Sequence, residues 1–238
     1  MWYRGQILRG GGLGKFAEIT FKESNILLGQ EGEGTLSPKL VSLARMELDR
    51  LYRRVESYIA QFPAFHSTLE PWDQPAEADV VQRMIAAGNR AGVGPMAAVA
   101  GAFADELLDK IGRPDSDMFV ENGGDVALRC GKERSVLIYP GGQEFDAKVS
   151  VQLPPGRWGV ASSSGKWGHS LSLGKADMVT VVAQDAAAAD ACATSVTNRI
   201  VPGCDPEAII GEYTWAAAIA VIWDKRIWYR GEAPLNFL

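Results

Sequence analysis

The chain has 238 residues, 47% hydrophobic and 22% charged, proportions of a folded globular protein rather than a disordered one. A net charge of -5 argues against broad electrostatic binding of nucleic acid, while leaving room for a small anionic ligand in a local basic groove. The cysteines, Cys130, Cys192 and Cys204, are odd in number and lack C-x-x-C spacing, which disfavours a disulfide scaffold and a structural zinc site and points to a reducing compartment.

The start, Met1-Trp2-Tyr3-Arg4-Gly5, lacks the basic start, apolar core and cleavage site of a secretory signal, so the expected location is the cytoplasm. Strands are predicted over 2–8, 16–22 and 26–29, with the Gly10-Gly11-Gly12 cluster read as a hairpin turn. A phosphate loop is disfavoured there because no Gly-Lys-Ser/Thr ending and no helix follow. Ser37-Pro38 caps a helix that runs through Leu40, Leu43, Met46, Leu51 and Val55 to Pro63. Its Arg50, Arg53 and Arg54 stand among Glu47, Asp49 and Glu56 and read as a solvated face of mixed charge. Further helices are predicted over 77–89 and 96–111. Gly101 interrupts the latter at a cost of about 1 kcal/mol against alanine, marking close approach of a ligand or of neighbouring backbone.

From Asp117 the pattern turns to strands: 118–121, 125–130, 135–139, 145–152, 158–162 and 178–183. An alanine-rich helix follows over 185–198 with Asp185 as N-cap, then a hairpin over 213–229 around Asp224-Lys225. The apolar run 215–223 is shorter than the roughly 20 residues that span a membrane, so no membrane partner is expected. The tryptophans of the apolar tail, Trp215, Trp223 and Trp228, suit either the core or a homodimer interface. No repeat or linker divides the chain, and one mixed α+β domain over 1–238 is the economical expectation.

The chemistry concentrates in a few places. Asp190 and Thr194 are four apart in a helical run, so their oxygens share one face and suit a hard cation such as Mg²⁺. The bland alternative is a solvated Asp with a Thr hydroxyl bonded back to its own helix. Asn122-Gly123-Gly124-Asp125 is either a backbone segment built for close ligand approach or a tight β-turn, and Glu121 before it reads as a strand-end charge. His169 lies in a polar glycine-rich loop and could act as acid or base near neutral pH, whereas His66, near Pro63 and Phe65, reads as packing or surface. Cys192 points away from the Asp190 face and reads as buried packing.

In order and content these segments, from Gly94 to Arg199, resemble the superfamily of the FAD:protein FMN transferases, also called ApbE-type thiamine-biosynthesis lipoproteins, in a divergent branch without a lipoprotein cysteine. The resemblance implies an α+β fold with antiparallel-rich sheets and packing helices. It implies Mg²⁺ held by Asp190 and Thr194, with FAD as substrate or ligand and a flavoprotein as target. It further implies a nucleotide site drawing on Gly101, Asp105, Asn122, Gly123, Gly124, Asp125, Ser163, Ser164 and Gly165, with His169 in the family's histidine position. The chain departs from the family where Lys-Gly-Tyr is replaced by Ala100-Gly101-Ala102, and where no Asp-Pro follows His169; Lys166 and Trp167 are candidate replacements. The expected function is Mg²⁺-dependent FAD binding with FMN transfer to a protein hydroxyl or hydrolysis of the pyrophosphate. The alternatives are a non-catalytic nucleotide-binding or assembly protein, and metal-assisted chemistry on another small molecule.

Overall fold

The computed structural model describes residues 14–113, 116–138, 149–166, 173–232 and 235–237. The glycine cluster at 10–12, the strand expected over 2–8, Trp167 and His169 lie outside them. The chain opens with the hairpin β1 (Lys15–Phe21) and β2 (Ser24–Gln30), then places α1 (Pro38–Gln61), α2 (Asp79–Ala91) and α3 (Val99–Ile111) in succession. Single 3₁₀ turns at Pro63–His66 and Pro95–Ala98 precede α2 and α3. Strands β3 (Met118–Asn122), β4 (Asp125–Cys130), β5 (Arg134–Ile138), β6 (Val149–Leu153), β7 (Gly156–Ser163) and β8 (Met178–Ala183) follow. The last elements are α4 (Ala186–Arg199), α5 (Pro206–Gly211), β9 (Ala218–Trp223), β10 (Arg226–Gly231) and β11 (Leu235–Phe237).

Eight strands form one antiparallel sheet in the order β1-β2-β3-β4-β7-β8-β9-β10, and the excursion between β4 and β7 pairs with the tail as a second sheet, β11-β6-β5. Alternation along the strands separates two cores. Ala127 and Ala161 face the helices, while Leu128 and Val160 face the second sheet with Val149, Val151 and Leu153. The small residues on the helix side let α3 lie on β3 and β4, and α4 on β7 and β8.

Local chemistry explains the helices. Ser37 accepts from the Leu40 amide at 3.2 Å and Pro38 opens α1 without a wasted donor. Leu48, Leu51, Val55 and Tyr58 then bury one stripe, at roughly 2 kcal/mol for each large apolar side chain. At the edge of that stripe Arg50 pairs with Glu47, a carboxylate that is almost wholly buried rather than solvated, and Arg53 pairs with Asp49 at 2.7 Å. Helix α4 is buried nearly all round through its alanines, as a helix apolar on every side must be. Trp223 and Trp228 pack together with ring centres 6.2 Å apart against the core on the α4 side, and Trp215 lies under the Arg90 guanidinium at 4.1 Å. Among the described residues no single helix is long and apolar enough to cross a membrane. The bent pair of α2 and the stretch Pro95–Ile111 spends its apolar surface on the core.

Candidate functional site

Four pieces of chain meet where the N-terminus of α3 abuts α4: those two helices, the β3–β4 turn and the end of β7. The first turn of α3 has no side-chain cap of its own. Its orphan donors are satisfied instead by Asp190 of α4, whose Oδ2 accepts from the Gly101 amide at 3.0 Å; the Ala100 amide also donates to this carboxylate. The favour is returned, because Asp105 of α3 accepts from the Ala187 amide, in the first turn of α4, at 2.9 Å. Asp185 is the local N-cap of α4, bonded to the Ala188 amide at 2.8 Å.

The β3–β4 connection is a two-residue hairpin turn in which Asn122 pairs with Asp125. Gly123 and Gly124 have φ of +70° and +117°, values that only glycine takes at no steric cost, and a side chain at either would point into open space. Asn122 Nδ2 donates to the Ala100 carbonyl at 3.2 Å, tying the turn to α3. Glu121 is buried, and its Oε1 accepts from the Gly124 amide at 2.7 Å; the strand-end charge expected from sequence is a support of the turn. Asp125 accepts from the Ser162 amide of β7.

Electrostatics mark this junction. Burial pushes Asp125 well above the ordinary carboxylate range, and the nearby charges of Asp190 and then Glu121 add to the push against the Ser162 amide. Asp190 is pushed up to about 7, chiefly by burial and with a contribution from Asp105, against the amides of Gly101 and Ala100. Asp105 is pushed up to about 6 by burial, with the Asp185 charge adding and the Ala187 amide, Arg83 and Arg157 opposing. A cluster of carboxylates, two of them buried and Asp190 half-buried, that raise one another is where a proton or a cation is most strongly favoured.

Thr194 is half-buried one turn beyond Asp190. The back-bond to the helix expected of the bland alternative is made by Thr197, to the Ala193 carbonyl at 2.7 Å, while Asp190 is a helix cap rather than a solvated charge. At the end of β7 the Ser163 hydroxyl is buried without a hydrogen-bond partner among the described residues. Ser164 accepts from the Lys166 amide at 3.1 Å, and Lys166 pairs with Asp177. The Gly165 amide donates to the Ala176 carbonyl at 3.0 Å. Cys192 is fully buried, its thiol pushed up to about 12 by burial.

Sequence reading left open whether Gly101 meets ligand or backbone. A Cβ at this position would lie 2.2 Å from the Ala186 carbonyl oxygen, so the neighbour is the backbone of α4. It missed Arg83 and Arg157, which reach Asp105 at 3.7 and 3.0 Å. The available signal was an acidic pair, Asp105-Glu106, inside the apolar run 101–108, since buried carboxylates need partners.

The donors offered at the junction are oxygens alone, the set a hard cation prefers. Among the described residues no group of three or more His, Cys, Asp or Glu side chains is placed to hold a metal ion. An ion at Asp190 and Thr194 would therefore draw its other oxygens from water or a ligand, as Mg²⁺ commonly does.

A family model described as "AbpE bacteria" matches residues 6–210. The chain belongs to that family. A UPF0280 protein of Methanococcus maripaludis is 35% identical over 190 residues, covering 77% of this chain and 75% of the relative. A UPF0280 protein of Methanosphaerula palustris is 38% identical over 192 residues, covering 79% and 78%. Among solved structures, the ApbE protein of Thermotoga maritima superposes with a TM-score of 0.58 at 15% identity, over 91% of this chain and 97% of that one. The flavinyl transferase ApbE of Pseudomonas stutzeri gives a TM-score of 0.58 at 13% identity, over 90% and 93%. At such identities the likeness establishes the fold, and family membership agrees with the resemblance drawn from the motifs.

Proposed function

We propose that the protein binds FAD at the junction of α3, α4 and the β3–β4 turn, with Mg²⁺ on Asp190 and Thr194, and cleaves the pyrophosphate so that FMN passes to a protein hydroxyl or to water while AMP leaves. The observation that carries this reading is the nearness of the buried Asp125 to the half-buried Asp190, whose charges oppose each other and which a divalent cation would relieve. Bound there, Mg²⁺ supplies charge neutralisation to the phosphate oxygens. The protein's own part is positional. The Gly101 amide orients Asp190, Asn122 holds the turn against Ala100, and the open space over Gly123 and Gly124 admits a ligand close to backbone amides. The Ser163 hydroxyl, without a partner among the described residues, offers a further polar contact.

Two solved neighbours, a flavinyl transferase and a flavin transferase, support the choice of flavin nucleotide. Ala102 is fully buried in the core and presents no surface to a ligand, so the aromatic contact expected of the family has no counterpart at this position. The departure at Ala100 removes a cation beside the phosphates, which favours a binding protein without transfer as the second reading. Calorimetric titration with FAD, with and without Mg²⁺, tests the reading. Micromolar binding that needs Mg²⁺ and is lost in Asp190→Ala is expected, and AMP release then separates enzyme from binder. Equal FAD binding by both proteins, or none by either, overturns it.

A further inference from the structure

Asp105 stands in order where a nucleotide contact is expected, yet its surroundings leave it nothing to offer a nucleotide. The residue is 0% exposed. Its Oδ2 accepts from the Ala187 amide at 2.9 Å and lies 3.7 Å from Arg83, while Oδ1 accepts from Arg157 at 3.0 Å. Both oxygens are engaged within the protein.

What Asp105 holds is the first turn of α4, and that turn has no freedom sideways. On one side a Cβ at Gly101 would come within 2.2 Å of the Ala186 oxygen; on the other a Cβ at Gly159 of β7 would come within 2.0 Å of the Asp185 carbonyl carbon. The turn is wedged between helix and sheet by two glycines and tied down by one carboxylate. Asp185 caps α4 from within the chain at the Ala188 amide, and Asp105 takes the separate Ala187 amide from the neighbouring helix. Asp190 and Thr194 lie one and two turns further along the same rigid helix, so the depth at which the first turn sits sets where their oxygens fall.

We propose that Asp105 is a positioning residue for the Asp190–Thr194 pair: its bond to the Ala187 amide, braced by Arg157, fixes the axial register of α4 and thereby the approach of the pair to Asp125. This rests on the reading of Asp190 and Thr194 as the side-chain ligands of the cation. Outer partners of this kind change metal affinity by about tenfold or more when removed.

The test uses the full chain and Mn²⁺ alone, a spectroscopically visible stand-in for Mg²⁺, with free Mn²⁺ followed by electron paramagnetic resonance and folding checked by circular dichroism. Asp190→Ala is the reference; if it binds Mn²⁺ like the parent, the metal pair itself is wrong and the proposal falls with it. Where Asp190→Ala loses binding, Asp105→Ala is expected to weaken Mn²⁺ about tenfold. Asp105→Asn, whose amide oxygen still accepts from Ala187, is expected to stay within about threefold of the parent. Parent-like affinity in Asp105→Ala overturns the positioning role while leaving the metal pair standing. Equal losses in the two variants overturn it too, because they assign the effect to charge rather than to the Ala187 bond. Should Asp105→Ala fail to fold, Arg157→Met removes the brace together with the Arg157–Asp109 pair, and Asp109→Asn, which weakens that pair and leaves Asp105 in place, is its control; a loss of about threefold in Arg157→Met but not in Asp109→Asn is expected, and parent-like affinity in Arg157→Met overturns the proposal.

Discussion

Asp190 and Gly101 are 89 positions apart in the chain, yet the carboxylate of one accepts the amide proton of the other at 3.0 Å. That bond makes the acidic residue at the centre of the junction a part of the neighbouring helix. It follows that the site can be perturbed through the helix contact as well as through the carboxylate, and by changes that differ in size and sign.

Two glycine substitutions separate space from backbone conformation. Gly101→Ala drives a methyl into the Ala186 carbonyl and is expected to cost about 3 kcal/mol or to prevent folding. Gly123→Ala meets open space but must hold φ at +70°, for which about 1 kcal/mol is expected. Urea midpoints for the two variants read the difference directly, and equal losses would contradict the packing described at Gly101.

Ser163 sets stability against binding. Its buried hydroxyl makes no hydrogen bond among the described residues, so Ser163→Ala is expected to gain about 1 kcal/mol in the ligand-free protein. If the hydroxyl serves FAD, the same variant weakens FAD binding by up to about tenfold. Thermal melting and calorimetry on one preparation decide both halves.

The pH dependence has a definite sign. Asp105 and Asp190 sit at about 6 and about 7 in the folded protein, above the ordinary 3.8. Each therefore holds a proton when folded that the unfolded chain has shed, and its contribution is complete below about pH 4 and lost as pH rises through 6 to 7. Asp190→Asn removes one of these titrations. Its stability relative to the parent should climb between pH 4 and 7 and level off above; a flat difference across that range would show that Asp190 titrates normally.

The cap of α1 gives a check remote from the site. Ser37→Ala removes the acceptor for the Leu40 amide and is expected to cost about 1 kcal/mol, seen in chemical denaturation, with FAD binding unchanged.

Much of the fold was legible because its signals are local. Ser37-Pro38 announces α1, Asp185 caps α4, the bounds of β8 agree with its apolar run, and Asp224 and Lys225 turn the last hairpin at φ of +48° and +60°. Asp205 before Pro206 carries the same kind of cap signal for α5, but six residues are too few to show a helical period. The helix expected from 96 onward divides into a 3₁₀ turn and α3 because Ala98, at φ of -117°, breaks the helical path. In the site, the helical spacing of Asp190 and Thr194 and the glycine turn could be read from the chain. The exchange of caps between α3 and α4 could not, because a side chain bonded to an amide more than 80 residues away leaves no mark on the local pattern.

That exchange also governs when the site comes into being. Each helix supplies an acceptor that the other's first turn uses, so neither start is complete while its partner is frayed. The Gly101 and Ala187 amides are therefore expected to exchange hydrogen as one cooperative opening, which amide exchange followed residue by residue would check. A chain emerging from synthesis carries the residues of α3 long before those of α4, so the first turn of α3 waits for Asp190 to complete it.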